Sequence, residues 1–284
     1  MKVLRMPLAA IGQIRSTASV SHNLKLCQNL VRKAAAAGAD ALFLPEASDY
    51  IASSPQQSLS LCQPLRTSSF VLGLQDAAKE HRIAVNVGVH EPSSNPSKIY
   101  NTLLWITPDG SISQTYRKLH LFDIHLADGT VNLRESASVS PGEALTTPFS
   151  TALGNVGMLI CFDLRFPEPS LALRNRGAHI ITYPSAFTVA TGEAHWETLL
   201  RARAIETQCY VIASAQVGAH DEEGKRKSWG HAMIIDAWGK VVAKLGGDED
   251  EGGLAVAEVD LGLVERIRGE MSLKRREGVY GSIE

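Results

Sequence analysis

The sequence predicts an α/β fold, and three observations carry that prediction. An apolar run, a helical stretch, an apolar run, a second helical stretch and a third apolar run open the chain in βαβαβ order. A hairpin pair then interrupts the alternation. From Val156 the alternation of helix and strand resumes.

The first apolar stretch, Val3 to Ile11, reads as a strand interrupted by Arg5 and Pro7. Leu24, Cys27, Val31, Ala34 and Ala35 share one face at helical spacing, and Gly38 supplies the left-handed residue that commonly ends a helix. Ala41-Leu42-Phe43-Leu44 is a buried strand stopped by Pro45, so its carboxyl end opens onto a loop carrying Glu46. A helix over about 68–81 leads into the β-branched run Ile83 to Val89. Tyr100 to Thr107 and Ile112 to Tyr116 flank Pro108-Asp109-Gly110, a hairpin signal that makes part of the sheet antiparallel.

In the second half, strand Val156 to Ile160 precedes a helix from Pro167 to Arg176 that Gly177 ends. Strand His179 to Tyr183, a longer helix over about 193–207 and strand Tyr210 to Ala215 follow, and two hairpin strands bracket Ala237-Trp238-Gly239-Lys240. His220 to Lys227 is a charged tip between strands. Lys274 to Glu284 has no periodicity and is either a flexible tail or an arm lying on a neighbouring subunit. The reading is one domain over 1–272 and a tail over 273–284.

Composition narrows the class. With 284 residues, 44% of them hydrophobic, one sizeable core is the simplest organisation. Lys and Arg number 28 against 30 Asp and Glu, so a net charge of -2 offers nothing to a nucleic acid. The 4 cysteines include no CxxC pair, which fits a reducing compartment. The opening apolar stretch is too short and interrupted for a signal-peptide core or a membrane span, and as a strand it leaves no room before it for a transit peptide. A soluble, cytoplasmic protein is expected. The 9 histidines include no HExxH or comparable ligand spacing, so no metal site is expected.

Cys161 stands where an apolar strand gives way to the polar segment Phe162-Asp163-Leu164-Arg165 and a helix near Pro167. A strand-to-helix elbow exposes such a side chain and aims unpaired N–H groups at it. The plain alternative is a buried structural cysteine. Glu46, at the carboxyl edge of a strand, is expected to be partly desolvated with a raised pKa, fit to take a thiol proton and return it to an amine; the alternative is a surface glutamate. Lys118, at the end of a hairpin strand, could point into the same edge or be one more solvated lysine. Taken together the three make a chemistry: the ammonium favours thiolate over a reference pKa of about 8.5, the carboxylate takes the proton, and the ammonium then steadies an oxyanion. Glu135 would hold the ammonium and contact the substrate amide nitrogen, or simply pair with Arg134.

Leu44-Pro45-Glu46, Tyr116-Arg117-Lys118-Leu119-His120-Leu121 and Leu159-Ile160-Cys161-Phe162-Asp163-Leu164-Arg165-Phe166-Pro167-Glu168 resemble, in order, the three signature blocks of the nitrilase, or carbon–nitrogen hydrolase, superfamily. The resemblance runs from the first strand to Ile267. It implies a four-layer αββα sandwich that dimerises to αββα-αββα, with Cys161, Glu46 and Lys118 catalytic and no metal or organic cofactor. Glu46-Ala47-Ser48-Asp49-Tyr50, Pro184 to Thr188, Thr191 to Glu197 and Arg201 to Val211 are most similar to the deaminated glutathione amidases, above all the fungal ones. That implies an α-keto acid amide as small-molecule substrate, cleaved to α-ketoglutarate and cysteinylglycine as metabolite repair. The compact His220 to Lys227 loop and the segment His125-Leu126-Ala127-Asp128-Gly129, which lacks the usual proline, depart from the pattern at the border of the pocket.

On this reading Lys118 and the Phe162 backbone N–H bind the oxyanion. Arg165, a cation in the unfavourable field of a helix start, pairs with Asp163 or Glu168 or forks a keto-acid carboxylate; the motif favours the fork. Phe187, Thr191 and Tyr50 line the acyl pocket or are ordinary packing. The rival functions are an ω-amidase acting on α-ketoglutaramate, a true nitrilase, and a non-catalytic scaffold of the same fold.

Overall fold

A computed structural model describes residues 5–125, 132–247, 252–274, 276 and 278–279. In chain order the first half is β1 (Leu8–Ile14), α1 (Val20–Ala36), β2 (Ala41–Phe43), α2 (Pro55–Leu61), α3 (Ser69–His81), β3 (Ala84–Pro92), β4 (Ile99–Ile106), β5 (Ile112–Arg117), β6 (Asp123–His125), β7 (Asn132–Arg134), β8 (Val139–Ser140) and β9 (Phe149–Thr151). The second half is β10 (Gly154–Met158), α4 (Pro167–Asn175), β11 (Ile180–Thr182), α5 (Val189–Thr207), β12 (Tyr210–Ala213), β13 (Ala215–Ala219), β14 (Lys227–Trp229), β15 (Met233–Ile235), β16 (Val241–Lys244), β17 (Gly253–Glu258) and α6 (Leu261–Glu270).

Two large mixed sheets result. The first runs β14-β13-β1-β2-β3-β4-β5, with β17 also on β1 and β8 on β4; the second runs β16-β15-β12-β11-β10-β9. β1, β2 and β3 pair in parallel, as do β10, β11 and β12, while the Pro108-Asp109-Gly110 turn joins β4 and β5 antiparallel. The period of two in each strand divides the core. Ala10, Leu42 and Val85 face one way, onto Cys27, Leu30 and Val31 of α1 and Phe70 and Leu74 of α3. Ala9, Ile11, Phe43, Leu103 and Trp105 face the other, in one cluster with Val156, Met158 and Ile180 of the second sheet and with Leu173, Trp196 and Leu200 of α4 and α5. The layers are therefore helix, sheet, sheet, helix, the sandwich that the family resemblance implies.

The helices end as their residues dictate. Gly38, at φ 79°, follows α1 and returns its N–H to the Ala35 carbonyl; Ser68 caps α3 by accepting from the Val71 N–H.

Three expectations are corrected. The first strand begins at Leu8, since Pro7 has no N–H to give and the ladder with β17 opens only at Leu8 opposite Glu258; residues 1–4 lie outside the described residues. The expected strand Tyr210 to Ala215 is two strands: β12 ends at Ala213, and across Ser214 the chain leaves the second sheet and joins the first as β13. The longer helix starts at Val189, directly after Thr188, a full turn before 193. Most of the segment His125 to Gly129, and most of the tail 273–284, lie outside the described residues. Among the described residues no helix is long and apolar enough to cross a membrane.

Candidate active site

The side chains of interest leave the carboxyl ends of β2, β5 and β10 and the start of the turn after β7, where open α/β sheets gather their chemistry. Glu46 is fixed by its backbone. Gly88 of β3 donates to the Pro45 carbonyl at 3.0 Å, and a Cβ on Gly88 would meet the Glu46 Cα at 2.6 Å, so only glycine permits this approach. From the other side Gln216 Nε2 donates to the Glu46 carbonyl at 2.9 Å.

Lys118 is 2% exposed and reaches across to Glu46. Its Nζ donates to Glu46 Oε1 at 2.8 Å and to both Glu135 oxygens at 3.0 Å. Glu135 Oε2 also accepts from the Phe122 N–H at 2.6 Å, so this carboxylate serves the lysine and not Arg134. Asn101 completes the floor: its Nδ2 donates to Glu46 Oε1 at 2.6 Å and to Glu135 Oε1 at 3.4 Å. The sequence reading missed Asn101, whose only signal is an amide on a mainly apolar buried strand.

Cys161 is 8% exposed and opens a 3-10 turn, Cys161–Arg165, with φ 45°. Its N–H donates to the Pro184 carbonyl at 3.1 Å. The thiol lies close enough to the Glu46 carboxylate, the Lys118 ammonium and the Ala186 N–H to feel all three, and the Ala186 N–H donates to Glu46 Oε2 at 3.0 Å. The helix expected to aim its start at the thiol begins only at Pro167, beyond this turn; the polar groups converging on the sulfur come from three other segments. Asp163 holds the turn from beneath. It accepts from the Tyr116 hydroxyl at 2.7 Å, the Ile160 N–H at 3.0 Å and the His120 N–H at 3.0 Å, and pairs with His120 Nδ1 at 2.8 Å. From the sequence this aspartate is expected only as a possible ion-pair partner of Arg165.

The electrostatics reverse two expectations. Burial would push the Glu46 carboxyl up, yet the Lys118 ammonium and the hydrogen bonds of the thiol, Lys118 and Asn101 hold it below its usual value. Burial would likewise push Lys118 down, but Glu135 and Glu46 keep it well above the ordinary lysine value. Burial, and then the neighbouring Glu46 carboxylate, push the Cys161 thiol well up, with Lys118 pulling the other way. The resting pair is therefore a neutral thiol beside an ionised carboxylate, in place of a preformed thiolate beside a protonated acid.

Arg165 forms no ion pair with Asp163, which is committed elsewhere, or with Glu168. Its Nη2 meets His195 Nδ1 at 3.0 Å and its guanidinium lies 5.7 Å from the Phe187 ring centroid. Phe187 in turn packs on Trp196, with centroids 4.8 Å apart. Phe162 follows the thiol, edge-on to Phe122 at 5.1 Å. Thr191 pairs with the Thr188 hydroxyl at 2.8 Å, one turn into α5. Tyr50 is buried, stacked on His90 and donating to the Ser58 carbonyl at 2.9 Å. The structure thus gathers Glu46, Lys118, Glu135 and Cys161 at one point and sets Arg165 against Phe187; Thr191 and Tyr50 have local partners.

Known proteins share this arrangement's frame. The carbon-nitrogen hydrolase family model matches residues 8–269. The chain is 48% identical to "Probable hydrolase nit2" of Schizosaccharomyces pombe, covering 98% of this chain and 100% of that protein. It is 45% identical to the deaminated glutathione amidase of Bos taurus, covering 98% and 84%. The crystal structure of the Caenorhabditis elegans NitFhit protein superposes with a TM-score of 0.89 at 38% identity, covering 97% of this chain and 66% of that one. A family match over nearly the whole chain, whole-length relatives and the same fold agree with the three sequence blocks, and the chain belongs to the carbon-nitrogen hydrolase family.

Proposed function

We propose that this chain hydrolyses the amide of deaminated glutathione, with Cys161 as nucleophile, Glu46 as proton carrier and Lys118 as oxyanion partner. The observation that carries the chemistry is the convergence of a thiol on an ion-paired carboxylate and ammonium, all nearly inaccessible to water. Cys161 attacks the amide carbon while Glu46 takes the thiol proton, so the sulfur becomes nucleophilic only as the C–S bond forms. Lys118 and the Phe162 N–H hold the oxyanion. As the C–N bond breaks, Glu46 delivers the proton to the departing amine. A water that Glu46 deprotonates then cleaves the thioester, and the thiol regains its proton. Glu135 keeps Lys118 in place and accepts from the amide nitrogen.

The substrate assignment rests on the named amidase relatives and on Arg165, a guanidinium within electrostatic range of the thiol that, among the described residues, pairs with no carboxylate. It forks the α-keto acid carboxylate, with Phe187 against the acyl chain and Thr191 and Tyr50 as the remaining candidates for the acyl pocket. The working form is a cytoplasmic homodimer without metal or organic cofactor. Purified protein assayed side by side on deaminated glutathione, α-ketoglutaramate and a simple nitrile tests the assignment: the first is turned over with the highest kcat/KM and Cys161→Ala abolishes it. Preference for α-ketoglutaramate would make the chain an ω-amidase, and turnover by Cys161→Ala would refute the mechanism.

A further inference from the structure

The four groups around the thiol do not make a receptor for a polyanion. Glu46 and Glu135 are opposed by Lys118 alone, and a substrate with two carboxylates needs more positive charge than Arg165 brings. Arg226 supplies it. It belongs to the tip of the β13–β14 hairpin, and the hairpin is fastened to the site on two sides: Gln216 donates to the Glu46 carbonyl at 2.9 Å, and the Trp229 N–H donates to the Phe187 carbonyl at 2.9 Å.

The tip is itself ordered. The Lys225 and Arg226 N–H groups donate to the two Asp221 oxygens at 2.9 Å, and the His220 N–H donates to the Arg226 carbonyl at 2.9 Å. His220 bridges the Ser16 carbonyl at 2.8 Å and the Ser228 hydroxyl at 2.7 Å beneath it. Asp221, the nearest acid in sequence, is thereby occupied with backbone, and among the described residues Arg226 forms no ion pair. Its side chain is accessible to water, yet protein surrounds it closely enough for burial to push its pKa down.

The two guanidinium groups have different neighbours. Arg226 lies within electrostatic range of Glu46, Glu135 and Cys161, whereas of these three Arg165 senses only Cys161. The Glu46 and Glu135 side is where the amine departs, because Glu46 returns its proton there. We propose that Arg226 is a specificity residue that binds a carboxylate on the leaving-amine half of the substrate, apart from the keto-acid carboxylate held by Arg165. This rests on the amidase reading above and narrows it: favoured substrates are α-keto acid amides whose amine half is itself an acid, as a peptide is.

The test compares Arg226→Gln with the native enzyme on deaminated glutathione, whose leaving half ends in a carboxylate, and on α-ketoglutaramate, whose leaving half is ammonia. The kcat/KM ratio of the first to the second should fall at least about tenfold, mainly through KM, as expected for a lost charge-assisted hydrogen bond, and Arg226→Lys should recover part of it. An analogue with the glycine carboxylate converted to a carboxamide should lower the native enzyme by a similar factor and Arg226→Gln no further. An unmoved ratio, or full discrimination against the carboxamide by Arg226→Gln, overturns the proposal. Calorimetric binding of deaminated glutathione to Cys161→Ala with and without Arg226→Gln reads the same contact without turnover, and an equal Kd overturns it too. Absence of turnover on both amides by native enzyme would instead count against the amidase reading.

Discussion

Lys118→Met tests the electrostatic account of the site most directly, because the methionine keeps the packing and removes only the charge. Lys118 Nζ lies 2.8 Å from Glu46 and 3.0 Å from both Glu135 oxygens, at 2% exposure. Its loss leaves buried carboxylates facing one another with Asn101 as their remaining shared donor. Breaking such a buried pair costs about 3–5 kcal/mol. Domains are commonly stable by about 5–15 kcal/mol, so the variant folds but with a Tm lower by roughly 10 °C. The pH dependence gives the sharper reading. In the native protein Glu46 has a lowered folded pKa, so its contribution is present above the ordinary carboxylate value of about 4.3 and is lost as pH falls through the folded value. Without Lys118 burial dominates, the folded pKa rises above the unfolded one, and acid relieves the variant. Urea unfolding at pH about 7.5 and about 5.5 should therefore show a stability gap that narrows at the lower pH. A gap under about 1 kcal/mol, or one that does not change with pH, would refute this account of the site.

Three further predictions use other parts of the molecule. Alkylation of Cys161 by a small neutral reagent lacking an amide should show no thiolate plateau between about pH 6 and 8, because burial and Glu46 push the thiol up; a plateau with an apparent pKa below about 7 would contradict the resting state described. His220, buried on the Ser16 carbonyl, is pushed down to about 4 chiefly by burial, so its contribution is complete above about pH 6.5 and is lost toward pH 4. The loss should reach about 3 kcal/mol, and His220→Gln should flatten that slope in denaturant titrations. Gly88→Ala should drive a methyl group into the Glu46 Cα and lower kcat by about 10²-fold through misplacement of the carboxylate, with little change if the loop is slack.

Much of the frame is legible from residue order because periodicity records burial. Leu24 to Ala35 lie on one helical face for the same reason that they meet β1 to β3, and Pro45 stops β2 where it must for Glu46 to leave the sheet. The switch between sheets at Ser214 is not legible, since Tyr210 to Val217 is a buried run broken only by Ser214 and Gln216 and fits either sheet. Nor are the charges. A carboxyl at a strand end reads as desolvated and raised, and only the arrival of Lys118 from 72 residues away turns that into a lowered pKa. Asn101 and Asp163 escaped for a related reason: their partners are set by the approach of distant segments, and neither spacing nor composition encodes that.

Backbone strain separates what the fold needs from what the chemistry needs. Among the described residues the non-glycine positions of positive φ are Ala47, Arg82, Cys161, Gln208 and His231. Arg82 and Gln208 are the left-handed caps that end α3 and α5, a conformation those helices require. Of the other three, Ala47 follows Glu46 and Cys161 is the nucleophile proposed above, while His231 stands further off, stacked on Trp229, whose N–H holds the Phe187 carbonyl. Each costs about 1–2 kcal/mol relative to an extended or helical residue. At Cys161 the left-handed turn breaks the extended run of β10, so the sulfur swings toward Glu46 and Ala186 while Asp163 closes the turn behind it. If that strain serves aim alone, glycine should relieve it. Cys161→Gly should then match or exceed Cys161→Ala in unfolding free energy, against the usual order in which glycine is worse by about 0.5–1 kcal/mol, and the usual order at this position would show the turn to be unstrained.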